Sequence, residues 1–446
     1  MDAQQLREIG ERLLQLTKKY GATDAIVSLS SGVERGASVR DGLLESTECA
    51  QSAHFSLTAI IGERRGSVES TSFETDDVDR AAKSAVSLAR IATKNPHLRL
   101  ATPNEWPCAM ADLPSKIASL DRCDNGAPPT LALLKERAIA LDALGRSQPG
   151  IARSGGASFG YGAHTAALLM SNGFVAVDTY AHYTKSTSVI AEYGGEMKTG
   201  DDYHAAFHYE DLRADEECAR RAGSYAVLQL GAQPIATGKM PVIFDRRIAK
   251  RLLSAFIAGI DADNVYHKST FLLDKLYERV FRDGVMIVEE PFLPRRLGSR
   301  FYDGEGVKST GWTLVHNGVL TKWITSIASA SKLGIPPTGH AWGTANLQLR
   351  PSNLLRADMI RDIPRGLLVT DLMGSGANIA TGAYSVGAEG FLIENGEITR
   401  PVNKVTIAGN LIDMFRELIP ASDLSDHPSG ANAPSCFIPS MMVGGM

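Results

Sequence analysis

Few stretches of this chain space reactive side chains in a way that chemistry could use. His204-Ala-Ala-Phe-His208 has the i, i+4 interval at which a helix offers two imidazoles to one metal ion. Its surroundings, DYHAAFHYEDL, instead alternate Tyr203, Ala205, Phe207 and Tyr209 against the histidines, which is strand periodicity. Four residues of strand span roughly 13 Å, too far for two ligands of one ion, and no glutamate follows His204. A solvated strand face is expected. Gly156-Ala-Ser158-Phe-Gly160 spells a G-x-S-x-G nucleophile turn, but no buried strand precedes it and no helix follows, so tight glycine turns are expected. The glycines of GSGAN, residues 374–378, lack both a Walker lysine and a G-x-G-x-x-G spacing, and so read as backbone permissiveness rather than a phosphate cradle. His340, in PTGHAW, is expected to be a structural hydrogen-bonder in a loop. Asp303 and Glu305, in DGEG, suggest either a turn with exposed carboxylates or a contact with another subunit. Cys436, in APSCFIPSMMVGGM, is expected to be a small buried hydrophobe.

These groups must be held by elements, and the pattern supplies them in order. The chain has 446 residues, more than one core usually serves, and its 44% hydrophobic and 22% charged residues are those of an ordinary globular protein. Its net charge of −4, with no basic block, offers no footprint for duplex DNA. Five scattered cysteines without a C-x-x-C pair fit neither a disulfide framework nor a zinc ribbon, and suggest a reducing cytosol. No run of 18 apolar residues occurs, and the first twenty residues lack the pattern of a signal peptide, so neither membrane spanning nor export is expected.

An amphipathic helix opens the chain with Leu6, Ile9, Leu13 and Leu16 on one stripe. Four short strands are expected at 25–30, 37–40, 43–49 and 55–61, with Asp41-Gly42 as a type I′ turn. A helix over 76–94 follows, with Thr75 placed to cap it. Six prolines between Asn95 and Pro129 mark a connection. Helices are expected over 131–144 and 213–230, with strands between them from 157 to 209 and another at 240–244. Residues 245–263 place Ile248, Leu252, Ala255, Phe256 and Gly259 on one helical face. From Gly366 to Leu418 the pattern is strand, glycine loop, hairpin through Asn395-Gly396, strand and helix. No internal repeat is visible. The expected class is a multidomain α+β fold: an N-terminal helix-and-sheet region (1–97), a linker and strand-rich middle (98–235), and a β-rich C-terminal domain with packed helices (236–446).

The segments TDLMGSGANIATGAYSVGAEGFLIENGEITRPVNKVTIAGNL, FYDGEGV, LVHNGVLTKWI with ASASKLG, and PTGHA resemble the TldD/TldE (PmbA) family of metallopeptidase subunits, closely in the C-terminal half and loosely before it. In the zinc-bearing branch of that family the helix corresponding to 245–263 carries a pattern like L-L-H-E-x-x-x-H, two histidine ligands and a glutamate general base. Alignment on Leu252-Leu253 puts Ser254 and Gly259 at the histidines and Ala255 at the glutamate. The same departure marks the TldE branch. The resemblance therefore implies a non-catalytic chain without zinc or another cofactor of its own. It would pair with a zinc-bearing TldD-like subunit, though a homodimer in isolation is possible, and help process small peptides or degrade unfolded proteins in the cytoplasm. Asp303, Glu305 and His340 are candidate interface or chamber residues. The alternatives are a self-sufficient metallopeptidase with another site and, more remotely, the gyrase-modulating role of an older family label.

Overall fold

The computed structural model describes residues 1–124, 126–425 and 429–445. Helix α1 (Ala3–Lys19) starts at a capping box in which Asp2 and Gln5 satisfy each other's backbone N–H groups. It leads into β1 (Asp24–Arg40), β2 (Leu43–Ile61), β3 (Arg64–Ser70) and α2 (Thr75–Ile91). Two long strands stand where four short ones were expected. The small and polar residues that read as breaks face each other in one ladder, Gly32 opposite Ser52 and Ser30 opposite His54, so no backbone group there loses its partner. Asp41 and Gly42 turn the hairpin with φ of 51° and 75°, the positive values a type I′ turn demands. Thr75 does not cap α2. Glu74 occupies the cap position without a side-chain bond, and the Thr75 hydroxyl instead accepts from Arg12 Nη1 at 3.2 Å.

The connection contains α3 (Leu113–Ala118), after which the pattern returns as α4 (Leu131–Arg146), β4 (Ile151–Met170), β5 (Val175–Tyr193), β6 (Glu196–Ala206) and α5 (Asp215–Leu228). Residues 1–97 and 98–235 each give three strands to one antiparallel sheet in the order β3-β2-β1-β4-β5-β6. Although the sequence shows no repeat, the topology is therefore duplicated: helix, three strands, helix, twice over, joined where β1 pairs with β4. Matching glycines mark the two copies. A Cβ on Gly66 of β3 would lie 2.3 Å from Ala85 O of α2, and one on Gly200 of β6 would lie 2.1 Å from Ala222 O of α5. Only glycine lets strand and helix approach so closely.

Helices α1, α2, α4 and α5 cover one face of this sheet, over Leu29, Leu57, Phe159, Val189 and their neighbours. Its other face carries Gly32, Gly160, Gly162 and polar side chains near the middle. At one end of that face the apolar Leu168, Met170 and Phe174 pack against Tyr302 from the C-terminal half.

The C-terminal half runs β7 (Gly238–Phe244), α6 (Lys250–Gly259), α7 (Ala262–Tyr266), β8 (Ile287–Glu289), β9 (Thr313–His316), β10 (Val319–Leu320) and α8 (Ile327–Leu333). It continues with β11 (Leu347–Leu349), α9 (Arg356–Arg361), β12 (Arg365–Met373), β13 (Ala383–Glu394), β14 (Glu397–Asn410), α10 (Leu411–Glu417), β15 (Ile419–Pro420), β16 (Ala431–Asn432) and β17 (Cys436–Gly444). Strands β14, β13, β12, β7 and β17 are neighbours in that order, and β17 pairs back onto β14, closing a barrel. Asn395 and Gly396, at φ of 52° and 82°, form the expected turn between β13 and β14. Around α6 the rings of Phe256, Phe281 and Phe415 interlock, the last two stacked at 4.6 Å. Burying each contributes about 2–3 kcal/mol. Among the described residues no helix is long and apolar enough to cross a membrane.

Candidate functional site

Helix α6 is where the resemblance would put a metal, and its side chains do not fit one. Ser254 is exposed, and its hydroxyl donates back to Lys250 O at 3.2 Å. Ala255 points instead into the core, 5% exposed. The third position has no room for a ligand. A Cβ on Gly259 would lie 2.9 Å from the Phe271 ring and 3.0 Å from Leu272 Cδ1, so packed hydrocarbon fills the space an imidazole would need.

Asp303, Glu305 and His340 come together beside β8, but not as an exposed turn. Asp303 has no exposed surface. Its Oδ1 accepts from the N–H groups of Glu305 and Val307 at 2.9 and 3.0 Å, and its Oδ2 from Ala341 N at 2.9 Å. Burial pushes its carboxyl above the usual range, against those three donors and the nearby Arg300 guanidinium. His340 donates or accepts at both ring nitrogens, 2.7 Å from Glu289 Oε2 and 2.8 Å from Thr338 Oγ1. Glu289 Oε1 in turn accepts from Ala345 N at 2.5 Å. The carboxylates turn inward because they satisfy the backbone of loops 303–307 and 340–345. Glu305 is the one that reaches a cavity. It accepts from Ile327 N at 2.6 Å and lines a space of about 260 Å³ with Arg65, Arg99 and Trp342, where burial raises its pKa.

The remaining sequence candidates fall apart in space. His204 lies in β6 and its Nδ1 accepts from Arg213 N at 3.4 Å, whereas buried His208 lies beyond the strand with Nε2 3.0 Å from Asp121 O. Ser158 sits in the middle of β4, bonded to Ser186 Oγ at 2.8 Å, with none of the strand-to-helix geometry of a nucleophile turn. Gly374 and Gly376 have φ of 98° and 67° in the loop after β12. Cys436 is fully buried in the core shared by the barrel, and burial pushes its thiol up.

One cluster had no sequence signal. Glu34 on β1, His164 on β4 and His182 on β5 converge on the open face of the sheet, their nearest donor atoms all within 4.8 Å of one another. Glu34 pairs in register with Gly162, and Gly162 with His182, so the three lie in one row; His164 is two residues along β4 on the same face. Nε2 of His164 is 2.8 Å from Glu34 Oε1, and the two imidazoles stack at 5.4 Å. His182 also lines a cavity of about 520 Å³ with Arg122, Tyr180, Phe207, Arg300 and Trp342, between the sheet and the C-terminal half. Residues 130 and 18 apart in the chain meet only once strand register is known. Alternation could have placed them on faces, but not opposite one another.

Comparison with known proteins supplies the class. The profile of the PmbA/TldA metallopeptidase C-terminal domain matches residues 237–445, and that of domain 1 of the same family matches residues 25–89. The chain belongs to the PmbA/TldD metallopeptidase family. Among particular relatives, Metalloprotease PmbA of Escherichia coli O157:H7 is 32% identical over 99% of this chain and 96% of its own length. The Metalloprotease PmbA homolog of Haemophilus influenzae has the same identity and coverage, 32% over 99% and 96%. A Bacteroides thetaiotaomicron protein described as a modulator of DNA gyrase superposes with a TM-score of 0.86 at 25% identity over 99% of each chain. TldE from Thermococcus kodakarensis shares the fold, with a TM-score of 0.83 at 19% identity over 98% of this chain and 100% of its own.

Proposed function

We propose that this chain is the non-catalytic, TldE-like subunit of a two-component metalloprotease that cuts small peptides or unfolded protein. Its partner is a TldD-like chain that carries the zinc. The observation that supports this most directly is the filled position at Gly259: with Phe271 and Leu272 against the helix there and Ser254 turned to solvent, α6 has neither donors nor space for the family's ion. The chain then serves by shape, walling the space in which its partner works. The exposed edges β3 and β6 of the long sheet offer backbone groups to which an extended peptide can add as a further strand. A role on gyrase gains no support from a net charge of −4.

The test is proteolysis of casein or a short peptide by this chain alone, by its TldD-like partner alone and by the mixture, each with and without a chelator. Cleavage is expected from the mixture above that of the partner alone, and chelator should abolish it. Chelator-sensitive cleavage by this chain alone would overturn the reading.

A further inference from the structure

We propose that Glu34, His164 and His182 bind a divalent transition-metal ion, of the zinc or cobalt(II) kind, on the open face of the N-terminal sheet. The donor set is the first argument. Two imidazoles and one carboxylate suit zinc and its neighbours, whereas calcium and magnesium take oxygen alone. Zinc at about 2.1 Å from each ligand needs donors roughly 3.4 Å apart. Glu34 Oε1 and His164 Nε2 already stand 2.8 Å apart, and one donor from each residue lies within 4.8 Å of the others, a spread small enough for ring rotation to draw in.

Two glycines build the site. A Cβ on Gly162 would lie 2.4 Å from His182 Cε1 and 2.7 Å from both Glu34 carboxylate oxygens. Glu34 and His182 flank that residue across three strands, and they lean together over it only because it has no side chain. A Cβ on Gly32 would lie 2.3 Å from His164 Nδ1, so the third ring also rests in a gap left by a missing side chain. An ordinary hydrogen bond explains Glu34 with His164 but leaves His182 unexplained. That ring has no hydrogen-bond partner among the described residues, and it stacks on His164 at an interplanar angle of 13°. Desolvation lowers its pKa and so favours the neutral ring, the form with a lone pair to give. The cavity that His182 lines adjoins the cluster.

The site is on a different sheet from α6 and does not rest on the subunit reading. The full-length chain, stripped with chelator, is titrated with cobalt(II) by visible absorption and with zinc by calorimetry, without partner or substrate. One ion per chain is expected. His182→Ala, Glu34→Gln and Gly162→Ala should each weaken binding at least about tenfold, while His204→Ala leaves it unchanged. Gly162→Ala removes no donor, so its loss separates a built site from casual histidine binding. Circular dichroism identifies any variant that fails to fold, in which case the folded ones decide. No bound ion, or an affinity indifferent to His182→Ala and Glu34→Gln, overturns the proposal while leaving the two-component protease reading intact. Proteolysis by this chain alone that depended on His182 would uphold the metal site and overturn that other reading.

Discussion

A histidine introduced at position 259 has nowhere to go, because Phe271 and Leu272 occupy the space beside the helix. Gly259→His combined with Ser254→His is therefore expected not to restore a zinc site, and to cost about 1–3 kcal/mol by overpacking. The denaturant midpoint and the zinc content of the dialysed double variant check this. Asp303 stands at the other extreme, since its carboxylate serves three backbone N–H groups with no exposed surface of its own. Asp303→Ala leaves all three unpaired, and a loss of about 3 kcal/mol in unfolding free energy is expected. At this scale the sequence names the side chains at 254, 255 and 259, but not that Phe271 and Leu272 fill the space beside Gly259, which only the fold shows. It was misleading for Asp303 and Glu305, because a D-G-E-G turn has the same letters whether its carboxylates face water or cradle a neighbouring loop.

Helix α5 opens with Asp215, Glu216 and Glu217 at the positive end of its dipole, and Glu217 bonds Arg220 and Arg221 at 2.7–2.8 Å. Those two guanidinium groups lower the Glu217 pKa to about 2 from an ordinary 4.5. A depressed carboxyl pKa stabilises the fold above the unfolded value, and the benefit fades as pH falls from about 4.5 toward 2. The melting-temperature gap between the natural chain and Glu217→Gln should thus be largest near neutral pH, shrink below about 4.5 and vanish only as pH falls through about 2. The group is partly solvated, so the matching difference in unfolding free energy should stay below about 1 kcal/mol. Elements with strong local signals were legible: the hairpins at Asp41-Gly42 and Asn395-Gly396 and the helices near 131 and 213. Strand length was not. Small residues in the middle of β1 and β2 look like interruptions until the opposing strand is known to match them, and that matching is a long-range fact.

Among the contacts between the two halves of the molecule is Tyr302, which is buried edge-on to Phe174 at 5.5 Å against the apolar end of the sheet. Tyr302→Ala should cost about 3 kcal/mol and speed protease cleavage between the halves, which timed digestion reads directly. A larger consequence lies in the doubled topology of the sheet. Residues up to Ile91 already form one complete unit of two helices over three strands, and in the whole chain the bare flank of its β1 is covered by β4, from a unit of the same design. Such a fragment is half of a covalently tethered dimer. Cut free, it should seek a twin, and sedimentation should find it self-associated, with the chain's second half replaced by another copy of its first.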